Sequence, residues 1–198
     1  MSEKTIVIDG KDHLFGRLAS IIAKHLLLGQ KVVVVRAERI VISGTMFRNM
    51  YRIKGFLGKT RSTNPVRGHI HYHNPARIFW RCIRGMTPHK TGRGAKALGK
   101  LKVFEGIPQP YAEMKRLVVP EALKAVRIKN FRKVTKLGEL AQRIGWKHRD
   151  LIESLEAKRK LKSKKYYVAK QATIKARENK NTSATVKKIE AELAQYGF

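Results

Sequence analysis

The sequence predicts an α/β fold, and three features carry that prediction. Two continuously apolar, β-branched runs, TIVIDG (5–10) and KVVVVRAE (31–38), flank a stretch with helical periodicity, the sequence form of a β-α-β unit. A further strand is predicted in LKVFEG (101–106). From about residue 136 the chain turns helical and increasingly basic. This divides it into an α/β core with basic loops over 1–135 and a basic helical extension over 136–198.

Each element has its own local reason. The two opening runs do not alternate with polar residues, so both faces of those strands are expected to be buried in a parallel sheet. Between them Leu14, Leu18, Ile22 and Leu26 recur at every fourth position, and Gly29 stands where a helix ends in left-handed geometry. The prolines of IPQPY (107–111) and KRLVVPEALK (115–124) mark a connection or extended arm rather than sheet interior. In the extension Leu140, Ile144, Leu151, Ile152 and Leu155 keep a helical beat. A Lys/Arg-rich stretch, a polar connector ENKNTSAT (178–185) and a short amphipathic helix with Val186, Ile189 and Leu193 follow. No internal repeat is present, and 198 residues suffice for one domain with an appendage.

Charge narrows the function. Forty-four Lys and Arg against 14 Asp and Glu give a net charge of +30. Such self-repulsion is relieved by a polyanion, and nucleic acid is the first choice because cationic side chains release condensed counterions from phosphates. Anionic membrane is the weaker choice, since a surface binder sets its charge beside one apolar helical face. Cys82 is the only cysteine, which excludes an internal disulfide framework and suits a reducing compartment. The apolar N-terminal run is too short for a signal-peptide core, and no run approaches the ~18 residues that span a bilayer. A soluble cytoplasmic or nuclear chain is expected.

The distribution of charge says more than its sum. Positions 39 to 104 hold 15 Lys and Arg and not one Asp or Glu. A merely solvated surface interleaves both signs, so this segment reads as surface that meets phosphate. Within it, Asn74-Pro75 starts a helix, with Asn as cap and Pro at the first helical position, and Gly85 stops it. Ile78, Phe79, Cys82, Ile83 and Met86 gather on one side of that helix, Arg77, Arg81 and Arg84 on the other, with Trp80 at the border. Guanidinium suits phosphate because its planar fork pairs two oxygens at once. Downstream, TPHKTGRGAKALGKLK (87–102) adds His89, Lys90, Arg93, Lys96, Lys100 and Lys102 among glycines that let backbone approach a phosphate chain.

Other chemistries are suggested less strongly. His69, His71 and His73 alternate as metal ligands on a strand can, but no carboxylate lies near them in sequence and cations surround them. They are expected instead to meet phosphates or bases. GAKALGKL (94–101) misses a phosphate-binding loop because Leu101 replaces the hydroxyl residue that would hold magnesium. Cys82 lies mid-stripe as a small buried hydrophobe. No paired carboxylates and no Ser/His/Asp or Cys/His set argue for catalysis. The best rival is a helix-turn-helix DNA-binding regulator, because Ala141, Gly145 and Leu151 have the spacing of that motif.

Four segments together resemble a known family. IVIDGKDHLFGRLAS (6–20), KVVVVRAE, RIFWRCIRGMTPHKTGRGAKAL (77–98) and above all LKVFEGIPQPY (101–111) resemble the universal large-subunit ribosomal protein L-thirteen family. KRLVVPEAL, the LGEL…GWKHRDLIESLEAKRK stretch and the YY that follows resemble its eukaryotic thirteen-a type, and the likeness runs in order from about 4 to 168. The resemblance implies a three-layer α/β/α core around a four-stranded parallel sheet, with a C-terminal helical extension. It implies a structural, non-enzymatic constituent of the large (60S) subunit of the cytoplasmic ribosome, assembled in the nucleolus. The partners would be ribosomal RNA and neighbouring large-subunit proteins, with no cofactor, metal, membrane or small-molecule substrate. Carried over by motif, Arg17, Arg84, His89, Lys90, Arg93, Lys100 and Lys102 would contact RNA. The charge map adds Arg77, Arg81, Lys96 and the three alternating histidines.

Overall fold

A computed structural model of the chain describes residues 5–181 and 184–196. The chain opens with β1 (Ile6–Asp9), α1 (Phe15–Leu27) and β2 (Val32–Val35), the expected β-α-β unit. It continues through β3 (Val41–Ser43), α2 (Met46–Leu57), α3 (Pro75–Gly85), α4 (Gly92–Gly99), β4 (Leu101–Val103) and β5 (Arg116–Leu117). Then come α5 (Lys124–Arg127), β6 (Val134–Lys136), α6 (Leu137–Arg143), α7 (Arg149–Asn181) and α8 (Ala184–Gln195). Four strands form a parallel sheet in the order β4-β2-β1-β5, with Ile6 opposite Val32, Val32 opposite Leu101 and Val7 opposite Arg116. β3 and β6 pair antiparallel in a second, two-stranded sheet.

The unbroken apolar runs are explained by what covers each face. Alternate residues of a strand point opposite ways. Ile8, Val32, Val34 and Leu101 join Leu18, Ile22 and Leu26 of α1 and Phe79 and Ile83 of α3 in the larger core. Val7, Val33 and Val35 look the other way, onto Ile107, Phe104 and Tyr111. The layers are therefore unequal: helices α1, α3 and α4 on one face, the segment around 104–112 on the other. Leu18, Ile22 and Leu26 are at most 1% exposed, and burying each contributes about 1.5–3 kcal/mol. Gly29 has φ +93°, the left-handed close of α1 that its position suggested. The proline-flanked KRLVVPEALK arm does lend two residues to the sheet, but at its edge, as β5.

Two polar devices fix the strand ends. Arg36 grips Asp9 with both Nε and Nη2, and the Lys11 N–H donates to Asp9 Oδ1 at 3.0 Å. Burial pushes the Asp9 carboxyl up, but the Arg36 fork, the Lys11 N–H and the charges of Arg36 and Arg116 outweigh it and hold the group below its ordinary value. His13 is fully buried. Its Nδ1 lies 2.9 Å from the Lys11 carbonyl, and its Nε2 accepts the Val119 N–H at 3.0 Å. It ties the loop after β1 to the chain leaving β5.

The chain divides into two compact units, 1–153 and 154–198. Residues expected at the start of the helical extension lie in the first unit, where Leu137, Leu140 and Ala141 are fully buried and Trp146 is 3% exposed. Gly145, at φ +107°, turns the chain between α6 and α7. The helix-turn-helix spacing does not close a core there, because Leu151 is 56% exposed. Among the described residues the second unit is formed by the remainder of α7 and by α8. Glu156 accepts two hydrogen bonds from Arg159 at 2.9 Å, while Leu155, Leu161, Tyr166 and Tyr167 are exposed.

Candidate nucleic-acid interface

The acid-free segment folds into β3, α2, α3, α4 and β4, and the two glutamates that bound it are used internally. Glu38 Oε2 accepts the Gly106 N–H at 3.0 Å, and Glu105 Oε1 accepts the Ala76 N–H at 3.4 Å. Both are half-buried. Burial pushes the Glu105 carboxyl up and the Glu38 charge adds to it, against the Ala76 N–H. The charged residues that α2, α3 and α4 offer to solvent are thus cations.

On α3 the capping expectation changes. Asn74 holds the cap position before Pro75 but makes no side-chain cap bond. The carboxylate that reaches the first turn is Glu105. Ala76, Phe79 and Ile83 are buried, Ile78, Trp80 and Cys82 pack beside them, and Met86 is 43% exposed. The apolar stripe is therefore rotated toward Ala76 relative to the expected one. The three arginines consequently diverge. Arg77 is exposed, its guanidinium 6.0 Å from the Tyr72 ring centre and 5.9 Å from that of Trp80. Arg81 and Arg84 are half-buried and line a cavity of about 560 Å³ between α2, α3 and α6. Arg81 sits 3.9 Å over the Phe56 ring centre, a cation–π contact. Burial and the neighbouring Arg84 charge both push its pKa down.

RGMTPHKTGRG is built by two threonines and one glycine. Thr87 Oγ1 donates to the Arg84 carbonyl at 3.1 Å, and Thr91 Oγ1 donates to Pro88 O at 2.8 Å while accepting the Gly94 N–H at 3.3 Å. A Cβ on Gly94 would stand 2.0 Å from Pro88 O, so only glycine fits beside that carbonyl. The loop folds back tightly onto α4, leaving Lys90, Arg93 and Lys96 exposed together and turning His89 into the cavity wall. Lys102 is exposed on β4 at the sheet edge. Lys100 Nζ donates to the Gly29 carbonyl at 3.0 Å, beyond the last turn of α1. Arg17 is exposed in the first turn of that same helix, and 12 residues at ~1.5 Å each separate it from Gly29. The thirteen residues named from sequence thus do not form one patch.

Two of the three alternating histidines pack around one ring, that of Phe56. His71 meets Phe56 edge-on at 4.8 Å, His69 lies 6.2 Å from the same ring, and the two imidazoles stack at 6.4 Å. His71 Nε2 is buried without a partner, and His73 is exposed. Among the described residues no group of three His, Cys, Asp or Glu is placed to hold a metal ion. Phe56, which organises Arg81, His69 and His71, went unnoticed in the sequence because nothing local marks it.

A second basic site was also missed. Arg48, Arg127, Lys129, Arg132 and Lys133 surround a cavity of about 550 Å³ at the N-terminus of α2, with Ser43, Gly44 and Thr45 in its wall. Thr45 caps that helix, accepting the Arg48 N–H at 3.4 Å. The signal was available: residues 122 to 138 are a second acid-free run, with six Lys and Arg.

Known proteins match this sequence along its length. The pattern that defines the family described as Ribosomal protein L13 matches residues 3–110. The large ribosomal subunit protein uL13 of Tetrahymena thermophila is 50% identical over 198 residues, all of both chains. That of Dictyostelium discoideum is 53% identical over 174 residues, 88% of this chain and 92% of its own. The chain belongs to the ribosomal protein L13 family. This family of ribosomal proteins is not an enzyme class. The L13 match contains all thirteen residues named from sequence, whereas the cluster at 127–133 lies beyond it, within the full-length match to the Tetrahymena protein.

Proposed function

We propose that the chain is a structural constituent of the large subunit of the cytoplasmic ribosome, binding ribosomal RNA and neighbouring ribosomal proteins without catalytic activity. The observation that carries this reading is the acid-free surface of α2–α4 in a chain half identical to the Tetrahymena uL13 protein over its whole length. Arg77, Lys90, Arg93 and Lys96 neutralise phosphates from one side. Arg17, Lys100 and Lys102 reach others around α1 and the sheet edge, and His73 joins them from its loop. The cluster of Arg48, Arg127, Lys129, Arg132 and Lys133 takes a further strand. Such contacts position RNA helices relative to one another rather than read sequence. The rigid sheet supplies the lever arm that keeps these groups in register. α7, 33 residues long and polar nearly all round, lacks the apolar stripe of a self-sufficient surface helix and is stabilised by RNA or a protein neighbour. Assembly in the nucleolus belongs to the same proposal.

The test is recovery from cells. Most of the tagged chain should sediment with large subunits, and ultraviolet cross-linking should recover ribosomal RNA. Recovery of genomic DNA, with the chain outside the subunit fractions, would overturn the reading.

A further inference from the structure

The cavity between α2, α3 and α6 has no part in the phosphate contacts proposed above. Ile53, Phe56, Ile78, Cys82, Leu140 and Ile144 make it apolar. Arg52, Arg81, Arg84 and His89 stand among its lining residues, which include no Asp or Glu. Asn49 also faces it and is only 3% exposed. The Asn49 amide donates from Nδ2 to Thr135 Oγ1 at 3.0 Å and to the Ser43 and Gly44 carbonyls at 3.4 and 3.5 Å. Those three acceptors fix which end of the amide is nitrogen. They leave Oδ1 as an acceptor with no partner among the described residues.

We infer that this cavity receives one nucleotide unstacked from ribosomal RNA, its base among the apolar walls and its phosphate on the Arg81–Arg84 side. The inference rests on the proposed ribosomal role and deepens it. At about 560 Å³ the space lies within the range of small-ligand sites, roughly 300–1,000 Å³. Phe56 already carries a guanidinium on its ring, and the planar face of a base extends such a stack. Asn49 Oδ1 offers an acceptor to the N–H groups that every base presents on its pairing edge. Charge decides between a nucleotide and an apolar side chain of a neighbouring protein. A protein side chain would strip water from Arg81 and Arg84 and give them no counter-charge, which is costly. A nucleotide brings its phosphate with it.

Large subunits isolated from cells are irradiated with short-wave ultraviolet light, digested with nuclease and protease, and searched for nucleotide adducts by mass spectrometry. An adduct on Phe56, Tyr72 or Cys82 is expected, and partial nuclease digestion should leave flanking nucleotides on it, the mark of a polymer. Cys82→Phe, which fills the cavity from its wall, should lose the adducts on Phe56 and Tyr72 while those on the Lys90–Arg93 loop persist. If that variant does not assemble, the map of the unaltered chain decides alone. Adducts on the Lys90–Arg93 loop with none on the cavity residues would overturn the nucleotide site while leaving the ribosomal role intact. So would a cross-link from a neighbouring protein into the cavity. Absence of the chain from large subunits would instead overturn the ribosomal role on which the inference stands.

Discussion

His13 sits between two backbone groups that dictate its protonation. Lys11 O needs a donor from Nδ1 and the Val119 N–H needs an acceptor at Nε2, so the neutral ring with its proton on Nδ1 satisfies both. Burial pushes its pKa down, against the opposing pull of the Lys11 carbonyl and of Asp9 and Asp12. Between the ordinary histidine value of ~6.5 and this lower native one, the unfolded chain binds more protons. Stability therefore falls as pH drops through that window. Urea midpoints measured from neutral pH downward should decline from just below about pH 6.5. His13→Ala should remove that component and cost about 2–4 kcal/mol, since it leaves a cavity and two unpaired backbone groups. Asp9 acts in a separate, more acidic window. Its carboxyl is held below 3.8, so its contribution is intact above that pH and is lost as pH falls through the native value. Gly94 is constrained by space: Gly94→Ala drives Cβ against Pro88 O and should cost about 3 kcal/mol in a denaturation experiment.

Helix ends divide according to where the capping group comes from. Thr45 and Thr91 cap α2 and α4 with their own side chains, and Thr91 also holds Pro88 O. Thr91→Ala should therefore cost about 1 kcal/mol or slightly more, read as a lowered melting temperature. Asn74→Ala, at a position with no side-chain cap bond, should stay within about 0.5 kcal/mol. The contrast also explains what the sequence could reveal. Asn74-Pro75 marked where α3 begins, because proline at the first helical position is a local constraint. It could not show that Glu105, 29 residues beyond Ala76, would serve the first turn. Likewise the β-branched runs announced β1 and β2, whereas β5 exists only because Arg116 and Leu117 pair with β1. The inclusion of α6 in the core was hidden for the same reason. It docks through Gly138, where a Cβ would come within 3.0 Å of Glu38 O.

Across the molecule, charge was legible along the chain and illegible in space. The 66 acid-free positions from 39 to 104 announced a polyanion partner, but their cations divide between an exposed front and a cavity wall. Arg48 meets Arg127, Lys129, Arg132 and Lys133 only through the fold. The α3 arginines show why this matters for mutagenesis. Reversing Arg81 to Glu would also remove its guanidinium from Phe56, mixing a packing defect with a charge effect. Arg77, Lys90 and Arg93 are exposed, as are Arg127, Arg132 and Lys133, so reversal at either triple acts mainly through charge, losing besides it only the outer ring contacts of Arg77 and the Arg127 Nε bond to the Glu121 carbonyl at 3.0 Å. Each triple should leave the circular dichroism spectrum unchanged and exclude the chain from large subunits in sucrose gradients. Binding of the purified chain to ribosomal RNA should also lose salt dependence. Each phosphate contact contributes about 0.7–0.9 to the slope of log K against log salt, so loss of three should flatten that slope by about 2–3. A flatter slope for both triples would establish two separate phosphate-binding faces. If only the Arg77–Lys90–Arg93 triple changed it, the cluster at 127–133 would face protein or solvent instead.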